Sequence, residues 1–265
     1  MGIWLIAAAL LAADPQAELP KGRLVVIGGG ETPSIVVKRT LELSGGKSAK
    51  IAVLPAANLE TGPSSVAGWK RSGVSNVALV NPQQTNAAVK TIREADLIWF
   101  PGGLQGIFMN NIQGSGGEIA ETIRTRYRAG AIVGGTSAGA AVMGKTMIGG
   151  RSDLDSLKVG NAPYLQNGLG LWPEVIVDQH FLQKGRFNRL ALAVIDYPEL
   201  MGIGIDEETA VIVHGREFEV IGNSNVTVID GRKASREKLT KGEPAAARNL
   251  KVHVLRSGMT FQFDE

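Results

Sequence analysis

From Lys21 onward, short runs of apolar and β-branched residues alternate with longer stretches in which apolar side chains recur at helical spacing. That alternation is the imprint of βα units on a mostly parallel sheet. Residues 23–27 predict a buried strand ending at Gly28, Gly29 and Gly30, and residues 33–43 a helix. Strands are expected over residues 51–54, 77–80 and 96–100, the last stopping at Pro101, Gly102 and Gly103. Glu118–Ala129 carries Ile119, Ile123 and Tyr127 at helical spacing among charges, so it is expected to cover the sheet, with Ala131, Ile132 and Val133 as the central strand.

After Gly150, Asn161, Pro163, Asn167, Gly168 and Gly170 predict an ordered loop region over one end of the sheet. Residues 175–177 read as a strand and residues 186–196 as a helix. Beyond Gly202 the period changes to two, and residues 210–213, 217–221, 226–229 and 252–263 predict hairpin strands. The expected fold is therefore α/β, a mostly parallel sheet finishing in an antiparallel extension.

Residues 1–13 form an apolar block in which Trp4, Leu5, Ile6, Leu10 and Leu11 stand among alanines. The block is too short to span a bilayer as a stable helix, so no stable membrane insertion is expected. It reads as the hydrophobic part of a secretory signal, with small-residue cleavage points near Ala13 and Ala17. The expectation is a signal peptide over residues 1–17 and export to the periplasm or beyond; a plain N-terminal helix would leave the protein in the cytoplasm. Residues 21–265 are expected to form one domain.

With 265 residues and 44% hydrophobic side chains, the chain can fill one large core. Its 28 basic residues nearly balance 25 acidic ones and are scattered, which argues against nucleic acid as a partner. With no cysteine, disulfides, a thiolate nucleophile and a Cys-type zinc site are excluded.

Chemistry concentrates at Gly135-Thr136-Ser137-Ala138-Gly139, a Gly-x-Ser-x-Gly sequence that follows an apolar strand and opens an alanine-rich helix. A serine on so sharp a turn needs small neighbours, so that backbone approaches backbone while Oγ projects outward. The backbone N–H of Ala138, at a helix start, would face a developing oxyanion, and Gly103 at the neighbouring strand end can bring a second N–H to the same place. A phosphate loop would carry a lysine after its glycines, whereas small apolar residues follow Ser137.

A serine hydroxyl needs a base beside it. Of the three histidines, His253 lies in an alternating run that should send Val252 and Val254 inward and the imidazole outward, and His214 precedes a Gly-Arg turn as a loop residue. His180 ends the strand over residues 175–177, at the carboxyl edge where open α/β folds place their sites. It is the best base candidate. The orienting acid is one of Asp178, Asp206, Glu207 and Glu208, and composition does not choose among them.

Gly-Thr-Ser-Ala-Gly-Ala from Gly135, Asp-Gln-His-Phe from Asp178, Gly185-Arg186 with Arg189 and Leu190, and Gly-Ile-Asp-Glu from Gly204 occur in an order that resembles the cyanophycinase-like serine peptidases of family S51. The similarity runs over nearly the whole chain after Lys21. The resemblance implies a flavodoxin-like three-layer sandwich related to class I glutamine amidotransferases, no metal or other cofactor, and a homodimer. It matches Ser137 to the nucleophile, His180 to the base and Glu207 to the acid. It matches Gln105, Asp178, Gln179, Arg186 and Arg189 to residues lining the substrate pocket. Two positions depart: Leu104 stands where the family has Asp or Asn, and Lys184 where it has Arg, an ammonium offering a point charge in place of a planar fork.

Lys184, Arg186 and Arg189 are either a solvated basic face or a grip for a substrate carboxylate. The implied substrate is a peptide with β-aspartyl linkages, above all cyanophycin, whose arginines hang from a poly-aspartate backbone, cut to β-Asp-Arg dipeptides. An α-aspartyl or broad isoaspartyl dipeptidase is the alternative within the family. Outside it stand a non-catalytic binder on the same scaffold and an α/β-hydrolase esterase, whose triad order would require His214 or His253.

Overall fold

The computed structural model describes residues 19–114, 116–149, 157, 165–237, 240 and 242–263. The expected signal segment lies outside them, as do Asn161 and Pro163 of the expected loop region. Strands β1 (Leu24–Ile27), β2 (Ile51–Val53), β3 (Val77–Leu79), β4 (Leu97–Phe100) and β5 (Ile132–Thr136) pair in parallel in the order β1-β5-β4-β2-β3. Between them run α1 (Ser34–Leu43), α2 (Thr61–Arg71), α3 (Thr85–Glu94), α4 (Gln105–Gln113) and α5 (Glu118–Ala129).

β1 and β4 are buried along their whole length, so they read as unbroken apolar runs: helices or strands cover both faces of the sheet. Val25, Ile27, Val53 and Trp99 share one core with α1 and α2, where the rings of Trp69 and Trp99 meet edge-on at 5.0 Å. Leu24, Val26, Ile98 and Phe100 face the opposite way, into a larger core with α3, α4 and α5. In α5, Glu118 and Glu121 occupy the first turn and Arg126 and Arg128 the last, each sign at the end of the helix dipole that favours it.

After β5 come α6 (Ala138–Ala141), β6 (Thr146–Ile148), β7 (Leu165–Asn167), β8 (Val175–Gln179), α7 (Phe187–Asp196) and β9 (Met201–Ile205). Then follow β10 (Thr209–His214), β11 (Glu217–Gly222), β12 (Asn225–Asp230), the short pair β13 (Ser235–Arg236) and β14 (Ala247–Arg248), β15 (Lys251–Arg256) and β16 (Thr260–Gln262). β10, β11 and β16 extend the parallel sheet antiparallel beyond β1. β8, β9, β12 and β15 form a second, four-stranded sheet, in which β8 and β9 pair in parallel across the crossover helix α7. One face of this sheet joins the larger core, and the other is covered by α7 through Ile176, Leu190, Val194 and Ile229.

Three expectations change. Residues 252–263 are not one strand: a turn with Gly258 at φ 87° sends β15 to the small sheet and β16 to the large one. Within β15 the alternation is reversed, because Leu255 is the residue that reaches the core. His253 shares its face and lies 5.2 Å ring to ring from Phe261, while Val252 and Val254 are 47% and 61% exposed. His214, expected in a loop, is the exposed last residue of β10, paired with Glu217. Among the described residues, no helix is long and apolar enough to cross a membrane.

Candidate active site

β5 delivers the chain to Ser137, which caps α6 at φ 54° and ψ −116°. For a residue with a Cβ such a conformation costs of order 1–3 kcal/mol and persists only where surrounding bonds fix it. Here the Ser137 N–H donates to the Ile27 carbonyl at 3.1 Å, and the Ser137 carbonyl accepts from the N–H groups of Ala140 and Ala141 at 3.0 and 3.1 Å. Gly139 is required by contact: a Cβ there would lie 2.3 Å from the Phe100 carbonyl oxygen.

His180 follows β8 and reverses the chain at φ 49°. The ring of Phe181 fills the space above Gly204 of β9, where a Cβ would come within 2.5 Å of it, so this turn is seated on the small sheet. Buried Asp206 ties the turn to the chain after β9: Oδ1 accepts the Leu182 N–H at 3.0 Å and Oδ2 the Ser224 hydroxyl at 2.8 Å. The Gln183 side chain accepts the Glu207 N–H at 3.0 Å. The segments bearing His180 and Glu207 are therefore bonded to each other before their side chains meet.

Those side chains lie in line. Ser137 Oγ is 2.8 Å from His180 Nε2, and His180 Nδ1 is 2.5 Å from Glu207 Oε1. The carboxylate at Nδ1 assigns the ring proton to that nitrogen and leaves Nε2 as acceptor for the serine hydroxyl. Burial holds the His180 pKa below its ordinary 6.5, against the raising effect of the Glu207 hydrogen bond, and the Lys184 and Arg186 charges add to the depression. A neutral imidazole at neutral pH is the form a general base needs.

The four candidate acids take four separate positions. Glu207 holds the imidazole, Asp206 braces the two turns, and Glu208 accepts from the Asn223 amide at 3.0 Å. Asp178 is 1% exposed and receives Arg189 in a two-pronged contact, Nε at 2.7 Å and Nη2 on the other oxygen, with Arg186 Nη1 at 3.6 Å. Burial pushes the Asp178 pKa up, and the Arg189 contact opposes it.

Of the remaining candidates, Gln179 and the chain around Gly102 meet Ser137 directly. A Cβ on Gly102 would lie 3.5 Å from the Ser137 Cβ, so the chain just after β4 lies against Ser137, while a Cβ on Gly103 would meet Ala57; Ala138 follows Ser137 as the first residue of α6. Gln179 Oε1 accepts weakly from Ser137 Oγ at 3.4 Å. Gln105, at the start of α4, donates to the Ile148 carbonyl at 2.7 Å. Arg186 Nη1 donates to the Gln179 carbonyl, Arg189 is 2% exposed with Nη1 left without an acceptor among the described residues, and Lys184 is exposed. Leu104 is 62% exposed at the rim. Among the described residues no cluster of three or more His, Asp or Glu side chains is placed to hold a metal ion.

Sequence reasoning placed the turn of Gly28, Gly29 and Gly30 at the end of a strand and did not assign it to the site. It lies against both His180 and Glu207, and three successive glycines at a central strand end were its only signal. An aligned hydroxyl, imidazole and carboxylate on an α/β scaffold define a serine hydrolase arrangement.

Comparison with known proteins agrees with that class. The pattern of Peptidase family S51 matches residues 24–221. A cyanophycinase of Geminocystis herdmanii is 34% identical over 254 residues, covering 90% of this chain and 92% of the relative. A cyanophycinase of a Nostoc species is 32% identical over 277 residues, covering 97% and 90%. Among solved structures, a peptidase from an acI-B1 Actinobacterium superposes with a TM-score of 0.66 at 21% identity, covering 91% of this chain and 97% of its own. A putative peptidase E of Listeria monocytogenes gives 0.53 at 19% identity, covering 77% and 99%. The protein is a serine peptidase. It belongs to peptidase family S51.

Proposed function

We propose that the chain is an exopeptidase hydrolysing β-aspartyl linkages, with cyanophycin as substrate and β-Asp-Arg dipeptides as product. The observation that carries the reading is the unbroken chain of contacts from Ser137 through His180 to Glu207. His180 Nε2 takes the hydroxyl proton as Ser137 Oγ bonds to the scissile carbonyl carbon, and the carbonyl oxygen moves toward the N–H groups of Gly103 and Ala138. The carbon–nitrogen bond breaks as His180 returns the proton to the leaving amine. Water then attacks the Ser137 ester, gives its proton to His180, and the acyl product leaves as Ser137 recovers that proton.

The substrate class is supported by the cyanophycinases similar to this chain and by the cations beside the base. Arg189, oriented by Asp178, has one buried donor left for a carboxylate, and Arg186 and Lys184 lie within the same stretch. Incubation with cyanophycin followed by mass analysis of the soluble products tests the reading: β-Asp-Arg is expected, and intact polymer would contradict it. Leu104 favours a second reading, a broad isoaspartyl dipeptidase, since an exposed apolar side chain replaces a polar one beside the nucleophile loop. Faster cleavage of short β-aspartyl peptides than of polymer would select it.

A further inference from the structure

The His180 ring is tethered covalently at Cγ and held by hydrogen bonds at Nε2 and Nδ1, and the bond at Nε2 is lost once Ser137 Oγ has bonded to a substrate carbon, leaving the ring able to tilt. Among the described residues, Ser137 and Glu207 supply those two bonds to the His180 ring. Efficient proton transfer requires the lone pair of Nε2 to point at Oγ, so while the Nε2 bond is absent the tilt is to be stopped by contact with a face of the ring.

We infer that the turn of Gly28, Gly29 and Gly30 is the positioning element that stops it, with Gly29 the bare backbone surface against the imidazole; this rests on the triad reading proposed above. A Cβ built on Gly29 would lie 2.3, 2.6 and 2.7 Å from Cε1, Nε2 and Nδ1 of His180, so the backbone occupies the place beside the ring face and no side chain fits between. One residue on, a Cβ on Gly30 would lie 3.0 Å from the Glu207 Cβ and 3.3 Å from Oε2. The same turn is anchored by the backbone of His180 and of the two residues that follow Glu207. The Gly28 carbonyl accepts the His180 N–H at 2.6 Å, the Gly29 carbonyl accepts the Glu208 N–H at 2.9 Å, and the Gly28 N–H donates to the Thr209 carbonyl at 2.9 Å. A single turn at the end of β1 thereby sets the height of the base, the tilt of its ring and the approach of its acid.

The test separates ring contact from backbone strain. Gly29 and Gly45 have nearly equal positive φ, 112° and 101°, yet a Cβ at Gly45 meets nothing within 4 Å. Alanine at either position carries similar strain, and only Gly29→Ala pushes the imidazole. We expect Gly29→Ala to lower kcat by about 10²-fold, the scale of a one-ångström misplacement, with KM changed less than about threefold because substrate contacts are untouched. The downfield proton resonance of His180 Nδ1–H should shift or broaden. Gly45→Ala should retain wild-type kcat and the wild-type resonance.

Should circular dichroism show Gly29→Ala unfolded, Gly30→Ala replaces it, with a loss of about 10-fold in kcat expected from displaced Glu207. A folded Gly29→Ala, or in its place Gly30→Ala, with the kcat and resonance of Gly45→Ala overturns the inference. Activity that survives Ser137→Ala in the otherwise unchanged chain overturns the triad reading itself, so the two failures are told apart.

Discussion

Ser137 Oγ and His180 Nε2 lie 2.8 Å apart although their strands belong to different sheets, β5 to the large parallel one and β8 to the small one. The contact proposed for catalysis is thus also a contact between sheets. Its geometry depends on the shared core that joins them and on the backbone bond from His180 N–H to Gly28 at the end of β1.

Ser137→Ala is expected to lower kcat by about 10⁴-fold or more while leaving the fold intact. Ser137→Gly should be equally inactive yet more stable, by about 1 kcal/mol, because glycine occupies φ 54° without strain. Steady-state assays of the two variants beside wild type check the loss of activity, and urea unfolding checks the stabilities.

Glu207→Gln keeps the side-chain shape and removes the charge that fixes the Nδ1–H tautomer. A fall in kcat of about 10²–10⁴-fold is expected in steady-state assays.

Only the neutral imidazole can accept the Ser137 proton, so kcat/KM falls as pH drops through the His180 pKa. Burial depresses that pKa, so the acid limb of the profile should have its midpoint below 6.5. Lys184→Gln removes a neighbouring positive charge that helps to depress it, and the limb should move to higher pH. A limb that stays in place or moves downward would contradict the assignment.

Asp178→Ala leaves the Arg189 guanidinium buried without its carboxylate and should destabilise the fold by about 3–5 kcal/mol. Asp178→Leu combined with Arg189→Met should recover most of that loss while activity stays low. Paired denaturant titrations and assays distinguish this from a substrate-only role for the two residues.

The central sheet was legible because strands covered on both faces are unbroken apolar runs, as in Leu24–Ile27 and Leu97–Phe100. The Ser137 turn was legible because its chemistry demands Gly139 three residues beyond the strand end at Thr136. The acid was left open by composition, since Asp178, Asp206, Glu207 and Glu208 are alike in it, and Glu207 was named only through the resemblance to family S51; contacts separate the brace, the ion pair and the imidazole partner. The His253 face was misread because alternation gives a period and not a direction: Leu255 decides which side is inward. The division into two sheets was hidden for a related reason, since hairpin patterns do not say which sheet a strand joins.

The most direct test of an activated Ser137 is labelling by a fluorophosphonate probe, read by mass spectrometry of the digested protein, in wild type and in His180→Ala. The expected result is one adduct, on Ser137, that His180→Ala abolishes. Labelling at another serine, or equal labelling of Ser137 without His180, would contradict it.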